Sequence, residues 1–302
     1  MRTIHRSLRA LTGAAAVLVL VTACNNESGT APTTPLLSQA QAESLATTVV
    51  ADIVGEIGTA TMDGSAGGSL AATAPFDASA PAGSTTATQC VPTESPTPVV
   101  NSDNDGVPDS VRFDYTGCVI SRPLSLDSLS GTIDLIDPTK LVADHAVERV
   151  FTDFKRLTVT LVSGAKSAVT SNGERRASHD GTTLRSSETN FRTDYLFANG
   201  GTAEHVRTWE SIFTADVAGS IVRDALLPSG TWSVNGTSSW TRGQRSYSLT
   251  VTTNPALHYN ASCTAAPRFD AGKLTAVVVR NSQTVTVTIE FTACGEYTVT
   301  RS

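Results

Sequence analysis

The chain has 302 residues, 40% of them apolar but only 6% aromatic, and a formal charge of −6. An acidic protein has no general electrostatic attraction for phosphate backbones, which argues against nucleic acid as a partner. The length fits one main domain once processed and polar segments are set aside, and the abundance of Thr and Ser suits exposed strand faces better than helices.

At the N-terminus Arg2, Arg6 and Arg9 stand without an acidic neighbour and precede a run of apolar and small residues from Ala10 to Ala23. A helix of that run is too short to cross about 30 Å of hydrocarbon, so positions 1–23 read as a secretory signal peptide. The run ends in Val21-Thr22-Ala23-Cys24. This resembles the lipobox of bacterial lipoproteins. The resemblance implies export, diacylglycerol on the Cys24 sulfur, cleavage before Cys24 and a mature chain anchored to a membrane of the bacterial cell envelope. Cleavage removes the arginines at 2, 6 and 9 and takes the charge from −6 to −9. Positions 24–35 are small and polar, with Pro32 and Pro35, and read as a lipidated tether.

One amphipathic helix is expected over 36–57. Ser38 and Gln41 have the spacing of a capping box, and Leu45, Val49, Ile53 and Ile57 recur every fourth residue. Its polar face lacks the basic residues of a membrane-lying helix, so it is expected to pack on the domain's own sheet. From 58 to 98 the residues are Gly, Ala, Ser, Thr and Pro with few large side chains, a composition that cannot offset the entropy of ordering. This reads as a flexible linker, with Cys90 pinning its last part.

From 99 to 302 the period changes to two. Val111, Phe113 and Tyr115 alternate with polar residues, as do Trp232 and Val234, then Tyr247, Leu249 and Val251, then Val285, Val287, Ile289 and Phe291. Turns are signalled at Asn172-Gly173, Asn199-Gly200-Gly201, Ser229-Gly230 and between Arg242 and Arg245. The fold class is mainly β: an antiparallel up-and-down meander of about eight to eleven strands, closed as a barrel, half-barrel or two-layer sheet, with the helix covering one opening.

The sharpest internal motif opens this β-rich domain, at 101–112. Asn101-Ser102-Asp103-Asn104-Asp105-Gly106-Val107-Pro108-Asp109 places oxygen ligands where a tight loop wraps a hard cation, with Gly at the turn. It resembles the calcium loops of thrombospondin type 3 repeats and dockerins. The resemblance implies Ca²⁺ held by Asn101, Asp103, Asp105 and Asp109, with the Val107 carbonyl pointing inward. Asn replaces Asp at the first position, and Arg112 stands where an EF-hand has its bidentate Glu. Affinity is therefore expected in the range of roughly 10⁻⁴ to 10⁻³ M, and the ion's role is expected to be structural.

With Cys24 assigned to lipid, Cys90, Cys118, Cys263 and Cys294 remain, and export points to two disulfides. Of the possible connectivities, Cys90 with Cys118 and Cys263 with Cys294 keeps each pair within one or two hairpins. No C-x-x-C spacing is present. His145, His179, His205 and His258 have no metal or catalytic spacing, and no nucleophile elbow, phosphate loop or dinucleotide fingerprint occurs, so no enzyme is expected. The mixed charges between Glu174 and Glu210 read as solvated cross-strand pairs, and Trp209, Trp232 and Trp240 read as core. In composition and layout the chain is similar to uncharacterised β-rich bacterial lipoproteins. The expected function is a non-catalytic structural or interaction module, with another envelope protein as partner. The alternative is a carrier of lipid or another apolar ligand: the layout is similar to periplasmic lipoprotein carriers, although those have more helices and richer apolar faces.

Overall fold

The computed structural model describes residues 37–47, 49–50, 90–142, 144–222, 226–243, 245–280 and 283–302. The signal segment, Cys24, the tether, the C-terminal part of the expected helix with Ile53 and Ile57, and most of the linker lie outside the described residues.

Residues 39–47 and 49–50 are helical (α1). The helix starts on a reciprocal capping box: the Ser38 N–H donates to Gln41 Oε1 at 2.7 Å and the Gln41 N–H donates to Ser38 Oγ at 3.2 Å. Two donors that a helix start leaves open are thereby satisfied. The strands are β1 (Thr93–Ser95), β2 (Ser110–Asp114), β3 (Cys118–Arg122), β4 (Ser125–Ile136), β5 (Val147–Thr160), β6 (Lys166–His179), β7 (Thr183–Leu196), β8 (Thr202–Ala215), β9 (Gly230–Arg242), β10 (Arg245–Thr253), β11 (Leu257–Tyr259), β12 (Phe269–Arg280), β13 (Gln283–Ala293) and β14 (Glu296–Arg301). β1 falls inside the stretch read as linker, where it pairs with β2 and Cys90 is bonded to Cys118 at the start of β3.

All the strands belong to one antiparallel sheet in the order β1-β2-β4-β5-β6-β7-β8-β9-β10-β12-β13-β14, with β3 beside β4 and β11 bridging β9 and β12. Short connections make sequential strands neighbours. β1 and β14 end the path without pairing to each other, so among the described residues the sheet is open, not a closed barrel. β2 and β3 are two pieces of one interrupted strand along β4, and at the break the Tyr115 N–H donates to the Gly131 carbonyl at 3.0 Å. The turns after β3, β5, β7, β9 and β12 lie at one end of the sheet, the tight-turn end. The connections before β2 and after β4, β6, β8 and β11 lie at the other, the long-loop end.

β5, β6, β7 and β8 have 14 residues each. The register shifts between Ser130 and Thr132 on β4, Phe151 and Phe154 on β5, Asn172 and Glu174 on β6, and Glu188 and Phe191 on β7. Gly131 (φ 87°) and Asn190 (φ 49°) supply the left-handed backbone at two of these bulges. A Cβ on Gly131 would stand 2.2 Å from the Asp153 carbonyl oxygen, so only glycine fits there. A bulge bends its strand, and four side by side crease the sheet along one line through the strand middles. Asn172-Gly173, expected as a turn, is one of these bulges.

One face of the sheet holds two cores. Under α1, Leu45, Val49 and Val50 pack with Trp209, Phe213, Trp232, Leu274 and Ile289. Across β2 to β7, Val107, Val111, Phe113, Tyr115, Leu135, Phe151, Phe154 and Phe191 form the second. Between them lies an ion network. Glu188, 2% exposed, takes Arg175 Nε at 2.6 Å on Oε1 and Arg207 Nε at 3.0 Å on Oε2, and the Arg175 guanidinium lies 4.0 Å over the Phe191 ring. These residues were expected to be solvated. The register corrects that reading, because pairing Arg175 with Glu188 and Phe191 with Arg207 turns all of them to the core face. Arg192, with Asp194 and Glu204, is a solvated group as expected.

Candidate metal centre

The loop between β1 and β2 is built by its own side chains. Asn101 Oδ1 accepts from the Asn104 N–H at 2.8 Å, Asp103 Oδ1 from the Asp105 N–H at 3.1 Å, and Asp105 Oδ1 from the Val107 N–H at 2.6 Å. Asn104 (φ 63°) and Gly106 (φ 94°) take the left-handed conformations that such a winding needs. Val107, 1% exposed, is the apolar peg that fixes the loop to the β2–β7 core.

Antiparallel pairing then brings in a distant residue. Ser110 on β2 faces Ile136 on β4, and the next residue, Asp137, donates its N–H to the Asp109 carbonyl at 3.3 Å. Asp137 is 1% exposed and Asp105 is 7% exposed. One carboxylate oxygen each from Asp103, Asp105 and Asp137 lie within 4.8 Å of one another. The Asp137 Oδ1 accepts from the Thr139 N–H at 2.7 Å, and Asp105 Oδ2 accepts from the His145 N–H at 3.1 Å. Asp137 Oδ2 and Asp103 Oδ2 are buried with no hydrogen-bond partner among the described residues.

A buried carboxylate oxygen without a donor is costly. Burial pushes the Asp137 carboxyl above the usual carboxylate range, and the charges of Asp103 and Asp105 push it further. A hard cation removes this conflict: Ca²⁺ contacts oxygens at about 2.3–2.6 Å, so one ion can touch oxygens spread this far apart. Asn101 and Asp109 sit differently. The Asn101 oxygen is used by Asn104, and Asp109 accepts from the Ser102 N–H at 2.7 Å and the Ser102 hydroxyl at 2.6 Å, which holds its carboxyl below the usual range. Of the carboxylates expected from the sequence the fold clusters Asp103 and Asp105, joins Asp137 to them, and ties Asp109 to Ser102 instead. Asp137 gives no signal in the motif because it lies in a different loop, where Asp137-Pro138-Thr139 reads as an ordinary turn start.

The structure joins Cys90 to Cys118 and Cys263 to Cys294, with Cα separations of 5.1 and 5.5 Å. Asp270 lies near the second pair, but sulfurs already in a disulfide offer no thiolate to a metal. His258 is held between carboxylates, Nδ1 2.6 Å from Asp270 Oδ1 and Nε2 3.2 Å from Asp216 Oδ2. Both ring nitrogens therefore face carboxylates. His205 is buried and stacked 4.0 Å from Trp240; burial, then Arg207, push it down to about 3. Comparison of the chain with family models, with curated proteins and with solved structures finds no match.

Proposed function

We propose that the chain is a non-catalytic module of the bacterial cell envelope, anchored through lipid on Cys24, whose exposed sheet contacts an envelope partner and whose N-terminal half is locked by a structural Ca²⁺ ion. The observation that carries the metal part is the orphaned Asp137 Oδ2, buried beside Asp103 and Asp105. Cys90–Cys118 and the ion fasten the same corner, because Cys90, Cys118 and Val107 share one core. Lipidation rests on the lipobox resemblance at Val21–Cys24. The apolar-carrier alternative has less support. Trp209 and Trp232 are buried in the core beneath α1, and a surface pocket of about 460 Å³ has Lys155, Asp194 and Glu204 in its lining.

The test is a Ca²⁺ titration of the full chain by calorimetry and thermal unfolding, with Asp137→Asn beside the native protein. Binding with a rise in Tm that Asp137→Asn abolishes is the expected result. No heat and no Tm change in the native chain, or an equal response in both proteins, would sink the metal centre.

A further inference from the structure

The two ends of the sheet differ in charge. The connections at the long-loop end carry Asp103, Asp105, Asp109, Asp137, Asp180 and Asp216, with few basic residues among them. The described connections at the tight-turn end, 123–124, 161–165 and 197–201, contain no acidic residue. The strand termini on that side carry Arg122, Lys166, Arg242 and Arg280. Arg122 is engaged with Asp127, which Arg156 also holds, so that group is cationic as a whole. A chain that is acidic overall thus presents one basic end. Bulk charge hides this, since the sheet separates the signs only once its strands alternate in direction.

Both ends expose aliphatic tips, Leu141, Val142, Val217 and Leu226 among the long loops and Leu124, Leu161 and Val162 among the tight turns, but only the tight turns set them among basic strand ends. Leu124 is 67% exposed, Leu161 52% and Val162 83%, and the Leu161 N–H donates to the Leu124 carbonyl at 3.0 Å, tying the β3–β4 and β5–β6 turns into one patch. Aliphatic tips inside a basic rim are the composition of a surface that dips into the headgroup layer of an anionic bilayer. The chain direction agrees. Gln39 Nε2 donates to the Val299 carbonyl at 3.1 Å, while Thr47 Oγ1 lies 3.5 Å from the Tyr297 hydroxyl. α1 therefore runs antiparallel to β14, and the chain enters it from the tight-turn side. From Cys24 to Leu37 an extended chain spans at most roughly 45 Å, so the tight-turn side lies within reach of the membrane.

We propose that the tight-turn end faces the bilayer, with Leu124, Leu161 and Val162 seated in the interface of an anionic membrane; this rests on the reading of Cys24 as the lipid anchor. The long-loop end, with the carboxylate cluster, then faces away from the membrane.

The test uses the full mature chain, purified from envelopes and reconstituted into phosphatidylethanolamine–phosphatidylglycerol vesicles. Nitroxide labels are placed at Leu161→Cys, at Val162→Cys, and at Leu141→Cys in the long-loop end. The 161 and 162 labels are expected to gain severalfold in oxygen collision over aqueous nickel-chelate collision on vesicles, while the 141 label stays aqueous. Mass analysis of the N-terminal fragment reads the anchor separately. An unacylated Cys24 removes the anchor and the inference together, whereas an acylated chain with all labels aqueous overturns the inference alone. Protection of 161 on native envelopes but not on vesicles of their extracted lipids also overturns it, in favour of a protein contact.

Discussion

The two halves of the sheet solve the same problem by different means. From β8 to β14 the core face is covered by α1, whose Leu45, Val49 and Val50 fill the space above Trp232, Leu274 and Ile289. From β2 to β5 the loop before β2 adds Val107 to the core, and that loop brings backbone polar groups and carboxylates with it. That half gathers Val107, the Cys90–Cys118 disulfide and the carboxylates at 103, 105 and 137 at one corner. The helix-covered half is stabilised by apolar area, whereas the other half adds staples at that corner, and the candidate metal centre stands where the staples are.

The largest break in this arrangement is expected at the seam. Glu188→Ala removes the buried carboxylate that Arg175 and Arg207 share, and losing one partner of a buried network costs about 3–5 kcal/mol. Urea unfolding is expected to show that loss, and also separate transitions for the two halves in place of one. Joint replacement of Arg175 and Arg207 by Met and Glu188 by Leu should restore most of it; an Ala variant within 1 kcal/mol of native would mean that the network joins nothing.

The disulfides come next. Their sequence separations of 28 and 31 residues are nearly equal, so chain entropy assigns each about 3–4 kcal/mol. The comparison predicts unequal consequences. Replacing Cys90 and Cys118 by Ser should weaken the Ca²⁺ response as well as stability, while replacing Cys263 and Cys294 should leave that response intact. Equal Ca²⁺ responses in the two variants would separate the ion from its half of the sheet.

Ca²⁺ itself ranks third. At 10 to 100 times a Kd in the sub-millimolar to millimolar range, linkage gives about 1.4–2.7 kcal/mol. The gain should appear as protection of β2 and β4 amides from hydrogen exchange, with β12 and β13 unchanged. A uniform change across the sheet would argue for a nonspecific salt effect.

How much of this was legible in the chain follows from range. The capping box at Ser38 and Gln41, the period-two strands and the disulfide spacing are local signals, and each has its counterpart in the fold. Asn172-Gly173 carries the same local signal as a turn, but a left-handed glycine serves a bulge equally well, and only the neighbouring strands decide between them. Register is the common cause of what was missed. It carried Asp137 to the calcium-like loop, turned Glu188 inward, and gathered the basic residues at one end. None of these leaves a trace within a ten-residue window.

The smallest expected effect distinguishes two histidines that respond to pH with opposite sign. The hydrogen bond to Asp270, with further help from Asp216, raises His258 above its ordinary value of 6.5. Its contribution is therefore fully present below about pH 6.5 and is lost as pH rises through the folded-state value. His205, pushed down to about 3 by burial, behaves the other way: its contribution is present above about pH 6.5 and fades as pH falls toward 3. The His258 group is partly solvated, so screening keeps its share within about 1 kcal/mol. His258→Gln should thus lower Tm more at pH 6 than at pH 8. The chain needs its histidine only when protonated there, because the β8–β9 loop is tied to β12 by a cation between Asp216 and Asp270. A Tm difference that stays constant from pH 6 to pH 8 would mean that the ring packs without carrying charge, and that the C-terminal half closes its long-loop end by apolar contacts alone.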